Sequence, residues 1–181
     1  MLSRCRGVTL IELMIGMVII SSLLLVGMPS FTNWIQDLQV RGAAESIQSG
    51  LLLARSEAIR RNRPVQLTLA DAGGLVEWRI GCVSVESACP GSITERKRGE
   101  GGLNTRMAVS SVSSTGNAAD TALATGAGLP VSIAFNGLGQ LAGPAPGRVE
   151  VSHVRLGSTR RLVVRIDAGL VRICKPQSEC A

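Results

Sequence analysis

A chain of 181 residues holds one modest domain with a segment to spare, and its formal charge of +6 permits anionic partners without demanding them. Phe31, Trp34, Trp78 and Phe135 are its only aromatic residues. A core must therefore rest on Val, Leu, Ile and Ala, which suits strands and a long helix better than an aromatic-lined pocket. A single histidine, His153, with no Gly-x-Ser-x-Gly elbow and no phosphate loop, argues against hydrolase and nucleotide-binding chemistry. We expect no enzyme, no cofactor and no metal.

The N-terminus reads as a short basic leader followed by an apolar run. Arg4 and Arg6 precede the 20 residues from Val8 to Gly27, in which Glu12 is the only charge. A helix of that length spans ~30 Å, the thickness of a bilayer core. The two arginines would hold its start in the cytoplasm and send the rest outward. No small-x-small site closes the run as a secretory signal would require. A plain anchor leaves Glu12 unexplained, since a carboxylate at that depth costs about 2.5–3.5 kcal/mol and calls for a partner.

Past Pro29 the helical pattern resumes, so the proline is expected to kink the helix rather than end it. Val40, Ala44, Ile47, Leu51, Ala54 and Ala58 recur in steps of four and three, the spacing of one buried stripe. Arg60 and Arg61 suit the negative end of a helix, Asn62 suits a left-handed cap, and Pro64 forbids continuation. Alternation then predicts strands at 65–69 and 76–80, joined by a turn at Gly73-Gly74. Further strands are expected at 129–135 and 148–154, with a closing hairpin of 161–166 and 170–174. The Ser, Thr, Ala and Gly-rich stretch 110–128 reads as a loop. His153 shares strand parity with Val149 and Val151, which makes it a sheet residue.

Cysteines stand at 5, 82, 89, 174 and 180. Removing the leader leaves four in two close pairs, beyond a membrane signal, which favours disulfides. A zinc site is the rival, but Cys-x6-Cys and Cys-x5-Cys are not knuckle spacings and no histidine stands nearby. Three connectivities exist; Cys82–Cys89 with Cys174–Cys180 is the one expected.

Gly7 followed by Val8-Thr9-Leu10-Ile11-Glu12-Leu13 resembles the processing signal of type IV pilins and type II secretion pseudopilins. The resemblance implies cleavage after Gly7 by a prepilin peptidase and N-methylation of Val8. It also places Glu12 as the fifth mature residue and Pro29 as the twenty-second. Removing Arg4 and Arg6 from the 19 basic residues leaves 17 against 13 acidic, a mature charge of +4. In a filament, Glu12 could pair with the amino terminus of a neighbour inside an apolar bundle and so set register.

The segment Leu51-Leu-Leu-Ala-Arg55-Ser56-Glu57-Ala58-Ile59-Arg60-Arg61-Asn62-Arg63-Pro64-Val65 narrows this to the FimT/GspH group of minor pilins and minor pseudopilins. Phe135-Asn136-Gly137-Leu138-Gly139-Gln140 is similar to that group's Phe-x-Gly-x-Gly turn. The implied fold is α+β and type IV pilin-like: a long N-terminal helix, membrane-spanning in its first half, packed on an antiparallel β-rich head. The expected divisions are leader 1–7, transmembrane and filament-core helix 8–28, amphipathic continuation 29–63 and periplasmic head 64–181. The expected place is the inner membrane and then a filament, with other pilins or pseudopilins, prepilin peptidase and membrane lipid as partners.

Some proteins of this group receive DNA through a Gly-Arg-x-Arg motif. Here the matching place reads Gly169-Leu170-Val171-Arg172, lacking the first arginine. From Arg148 to Lys175 seven basic residues face Glu150 and Asp167, so Arg160, Arg161, Arg165 and Arg172 are the candidates for contact with a phosphate backbone. The expected function is a structural, assembly-initiating subunit of a type IV pilus. A type II secretion pseudopilin is the alternative, and a DNA-binding pilin the third reading.

Overall fold

The computed structural model describes residues 8–71, 73–97, 100, 104–111, 122–154, 157–167 and 169–176, with the side chains of 26–30 and 157–160 excepted. Among the described residues one helix, α1 (Leu10–Arg61), precedes eight strands: β1 (Val65–Leu69), β2 (Trp78–Cys82), β3 (Thr94–Arg96), β4 (Thr105–Ser110), β5 (Val131–Phe135), β6 (Arg148–His153), β7 (Gly157–Asp167) and β8 (Leu170–Cys174). The chain divides into two compact units, Met1–Asp37 and Leu38–Ala181.

In the first unit the helix opens on an N-cap at Thr9. Thr9 Oγ1 accepts from the Glu12 N–H at 3.3 Å, and Leu13 N–H donates to the Thr9 carbonyl at 3.2 Å. Glu12 thus also sits in the first turn, where the positive helix end favours a carboxylate. From Leu10 to Leu25 large apolar side chains are exposed on every face, Leu10 by 79% and Leu25 by 76%. Among the described residues no helix is long and apolar enough to cross a membrane. The expected span, 8–28, runs into residues 26–30, whose side chains lie outside the description. Helical backbone continues through Pro29, which therefore does not end the helix.

The second unit is built on the predicted stripe. Val40, Ala43, Ala44, Ile47, Leu51, Ala54 and Ala58 are buried and join one core with both sheets. Alanine at four of these positions lets strands approach the helix closely. The first sheet has the order β3-β2-β1-β5 and the second β4-β6-β7-β8, all neighbours antiparallel. Val65, Leu67 and Leu69 point inward from β1, as do Val149 and Val151 from β6. His153 follows the same parity and is buried.

Four departures from the expected elements have physical causes. The strand expected at 76–80 begins at Trp78, because Leu75 bridges to Arg106 of β4 instead of pairing in the first sheet. β3 and β4 were not foreseen; β3 is three polar residues, and β4 merges in composition into the small-residue stretch that follows. β7 begins at Gly157, ahead of the expected start. Within the expected 110–128 loop, residues 112–121 lie outside the description, but 122–128 is docked. Val109 N–H donates to Ala127 O at 2.7 Å and Gly126 N–H to Met107 O at 3.0 Å. The turn between β1 and β2 closes as expected: Asp71 accepts from the N–H groups of Gly73 and Leu75, at 2.9 and 3.2 Å.

Candidate functional site

The C-terminal end of α1 gathers the loops that the two sheets send to it. The helix stops as predicted, with Asn62 at φ 49° and Arg63 N–H reaching back to Ala58 O at 3.2 Å. Glu57 accepts from Arg60 at 2.7 Å and from Arg61 at 2.8 Å. Those hydrogen bonds, Arg60's first, hold the Glu57 carboxyl below its ordinary value.

Three loops are tied to this end. Cys82 and Cys89 are disulfide-bonded with Cα atoms 5.7 Å apart, and Arg61 donates to Ala88 O inside their loop at 2.8 Å. In the turn after β5, Asn136 Oδ1 accepts from the N–H groups of Leu138 and Gln140, at 3.0 and 2.9 Å. A Cβ on Gly137 would strike Asn62, and one on Gly139 would strike Ile59 and Arg55. Arg55 in turn donates to Gly169 O, in the β7–β8 turn, at 3.3 Å. The two sequence segments that narrowed the resemblance, 51–65 and 135–140, are therefore packed on one another. Their glycines and Arg55 are spaced for that contact.

The profile of the family described as type II transport protein GspH matches residues 43–169, the span that contains this junction. The chain belongs to the GspH family. A second profile, the prokaryotic N-terminal methylation motif, matches residues 2–28. This GspH-family chain also resembles the crystal structure of the type IV minor pilin FimU of Pseudomonas aeruginosa. There the TM-score is 0.54 at 19% identity, covering 77% of this chain and 90% of that one. A second crystal form of FimU gives 0.48 at 18%, covering 76% and 94%. No curated protein matches the sequence. The GspH-family chain thus shares the fold of that structure, a long helix packed on antiparallel sheets.

The sequence-predicted site residues fall in separate places. Gly7 lies outside the described residues; Val8 and Glu12 are exposed at the helix start. The Cys82–Cys89 bridge is as expected. Cys174 is disulfide-bonded too, while its expected partner, Cys180, lies outside the description. Among the described residues no cluster of His, Cys, Asp and Glu could hold a metal.

The arginines do not form one exposed strip. Arg161 is 9% exposed, opposite Ser152 of β6, with its guanidinium 3.7 Å from Glu150. Arg165 lies between Arg148 and Arg172 on adjacent strands, half-buried, and Arg172 is exposed. The side chain of Arg160 is outside the description. Glu150 is 3% exposed and also accepts from Leu123 N–H at 3.3 Å. Burial pushes its carboxyl above the ordinary value, with Arg161 opposing the shift. The basic run was expected to offer exposed arginines here; instead the docked 122–128 segment reaches Glu150 through Leu123. Sequence reasoning also missed Gln48 and Arg55, which looked like ordinary surface residues of a helix. Only their seven-residue separation, two turns along one face, hinted at a shared target.

Proposed function

We propose that this chain is a minor pilin of a type IV pilus, an assembly-initiating subunit rather than an enzyme. It is processed between Gly7 and Val8 by a prepilin peptidase, N-methylated on Val8 and held in the inner membrane until assembly. The observation that carries the reading is the exposed apolar helix start, within a methylation motif, on a chain whose GspH-type head is knitted around the other helix end. Apolar surface on every face has no use in water and is covered in a bilayer or a bundle of such helices. Glu12 supplies register by pairing with a neighbour's amino terminus. Because the Thr9 cap uses the Glu12 N–H and not its carboxylate, Glu12→Gln should keep the helix start and lose filament incorporation. Normal incorporation of that variant would remove the register role.

Support for the pilus comes from the disulfide-clamped loop, a suitable device for an exposed fibre, and from a fold shared with FimU, itself a type IV minor pilin. The second reading, a minor pseudopilin of type II secretion, is favoured by the family's description as a type II transport protein. The proposal does not extend to DNA, since Arg161 is buried against Glu150. Surface pili sheared from cells lacking the gene, assayed beside exoprotein secretion, test the choice. Lost pili with intact secretion support the minor pilin. Intact pili with failed secretion move the chain to the secretion pseudopilus.

A further inference from the structure

Asn136-Gly137 is the one Asn-Gly pair in the sequence, and it stands in the turn after β5. The side-chain oxygen of Asn136 is held from two sides. Its Oδ1 accepts from the Leu138 N–H at 3.0 Å and from the Gln140 N–H at 2.9 Å. The backbone closes around it, with Asn136 N–H donating to Gln140 O and Gly139 N–H to Asn136 O, both at 2.8 Å. Two other groups of the pair are left alone. Neither Asn136 Nδ2 nor the Gly137 N–H makes a hydrogen bond among the described residues.

This division suits an attack of the backbone on the side chain. Gly137 has no Cβ to shield its nitrogen. Packing keeps it glycine, since an added Cβ would lie 2.5 Å from Asn62 Oδ1. As Gly137 N bonds to Asn136 Cγ, negative charge gathers on Oδ1. Two backbone N–H groups already point at that oxygen, the arrangement of an oxyanion hole. Nδ2, the group that must leave, is tethered to nothing.

We propose that Asn136 is a self-modification site, where the folded turn promotes conversion of its own side-chain amide to a carboxylate. The reactants are that amide and water. Gly137 N gives its proton to a solvent base and bonds to Cγ. The Cγ–Nδ2 bond breaks, and Nδ2 takes a proton from solvent and leaves as ammonia. Water then adds to Cγ of the cyclic imide, the carbonyl that the Leu138 and Gln140 N–H groups still polarise. The bond from Gly137 N to Cγ breaks and the nitrogen regains its proton, so nothing is oxidised or reduced. The product is aspartate with the main chain unchanged, its carboxylate accepting the same two hydrogen bonds, now charge-assisted. Opening at the backbone carbonyl would instead give isoaspartate. Its extra main-chain methylene would shift Gly137 and Gly139, which are packed closely on Asn62, Ile59 and Arg55. The proposal stands apart from the filament reading.

The test incubates the full-length chain in detergent at mildly alkaline pH, folded and in urea. The peptide carrying position 136 is followed by mass, with fragmentation that separates aspartate from isoaspartate. The folded chain should convert at this position, take oxygen from isotope-labelled water and give aspartate as its main product. In urea the two donors are lost, and isoaspartate should prevail. Leu138→Pro removes one donor and should slow conversion of the folded chain about tenfold or more. An amide that persists in the folded chain while the urea-treated chain converts would overturn the proposal, and so would isoaspartate as the main folded product. A folded Leu138→Pro chain converting at the wild-type rate would overturn the role of the two donors. Should that variant melt early, the comparison of folded and urea-treated wild-type chain still decides.

Discussion

The outward faces of the two sheets are built from similar alternation and end up in opposite environments. On the first sheet Gln66, Thr68 and Arg79 stand away from the helix, and Arg79 meets Glu95 at 3.5 Å with 62% of its side chain exposed. On the second, the cross-strand row Ala108, Glu150, Val163 and Cys174 is buried, and Arg148 and Arg161 beside it are nearly so. The difference comes from connection rather than strand composition. The link between β4 and β5 is long enough for its 122–128 part to dock on the β4 edge and reach Glu150. A charge in a strand is a statement about water only once the loops are placed.

The largest effect should come from breaking the buried pair. Arg161→Ala leaves Glu150 as a buried carboxylate short of its cation, and should cost about 3–5 kcal/mol in urea unfolding. A loss no larger than that of a surface pair would mean that this face is wet after all. Next comes the clamp at the end of the first sheet. Replacing Cys82 and Cys89 together by serine should cost about 2.5 kcal/mol from the freed loop alone, read as a fall in thermal midpoint.

A smaller effect separates the two carboxylates by pH. Glu150, shifted up, binds its proton more tightly in the folded chain. Its contribution therefore falls as pH rises from the ordinary carboxylate value through the folded one. Glu57, shifted down, contributes above the ordinary value and loses that as pH falls through its folded value. Glu150→Gln should flatten the stability decline that begins at the ordinary carboxylate value and runs up through the raised one, and an unchanged slope would count against its burial. Smallest of all, Arg79→Ala on the exposed face should change stability by less than about 0.5 kcal/mol.

Much of this arrangement was legible in advance. The inward stripe of α1, its stop at Asn62 and Pro64, and β1, β6 and β8 all follow from periodicity and from residues with strong local preferences. β4 was hidden because Met107 and Val109 alternate with Ala108 and Ser110, small residues that continue into the next segment without a change in texture. The burial of Arg161 could not be read at all, since it depends on where 122–128 returns. The junction at the helix end was half visible: both segments carry signatures, but their contact is a property of the packed chain. Arg55 looked like surface charge until Gly169 gave it a partner.

Arg55 and Gln48 have a consequence beyond holding a turn. β8 is the last strand of its sheet; its Val171 carbonyl accepts from Gln48 at 3.0 Å, and the Gly169 carbonyl in the turn before it accepts from Arg55 at 3.3 Å. At the opposite edge the amides of Met107 and Val109 are taken by Gly74 and Ala127. Groups on both borders of the second sheet are thus taken by the chain itself, through side chains of one helix and the backbone of two loops. On the filament-subunit reading proposed above, heads must lie side by side without adding strands to one another. Each edge group already taken is one that an incoming strand cannot use, so the borders of this sheet resist growth by strand addition.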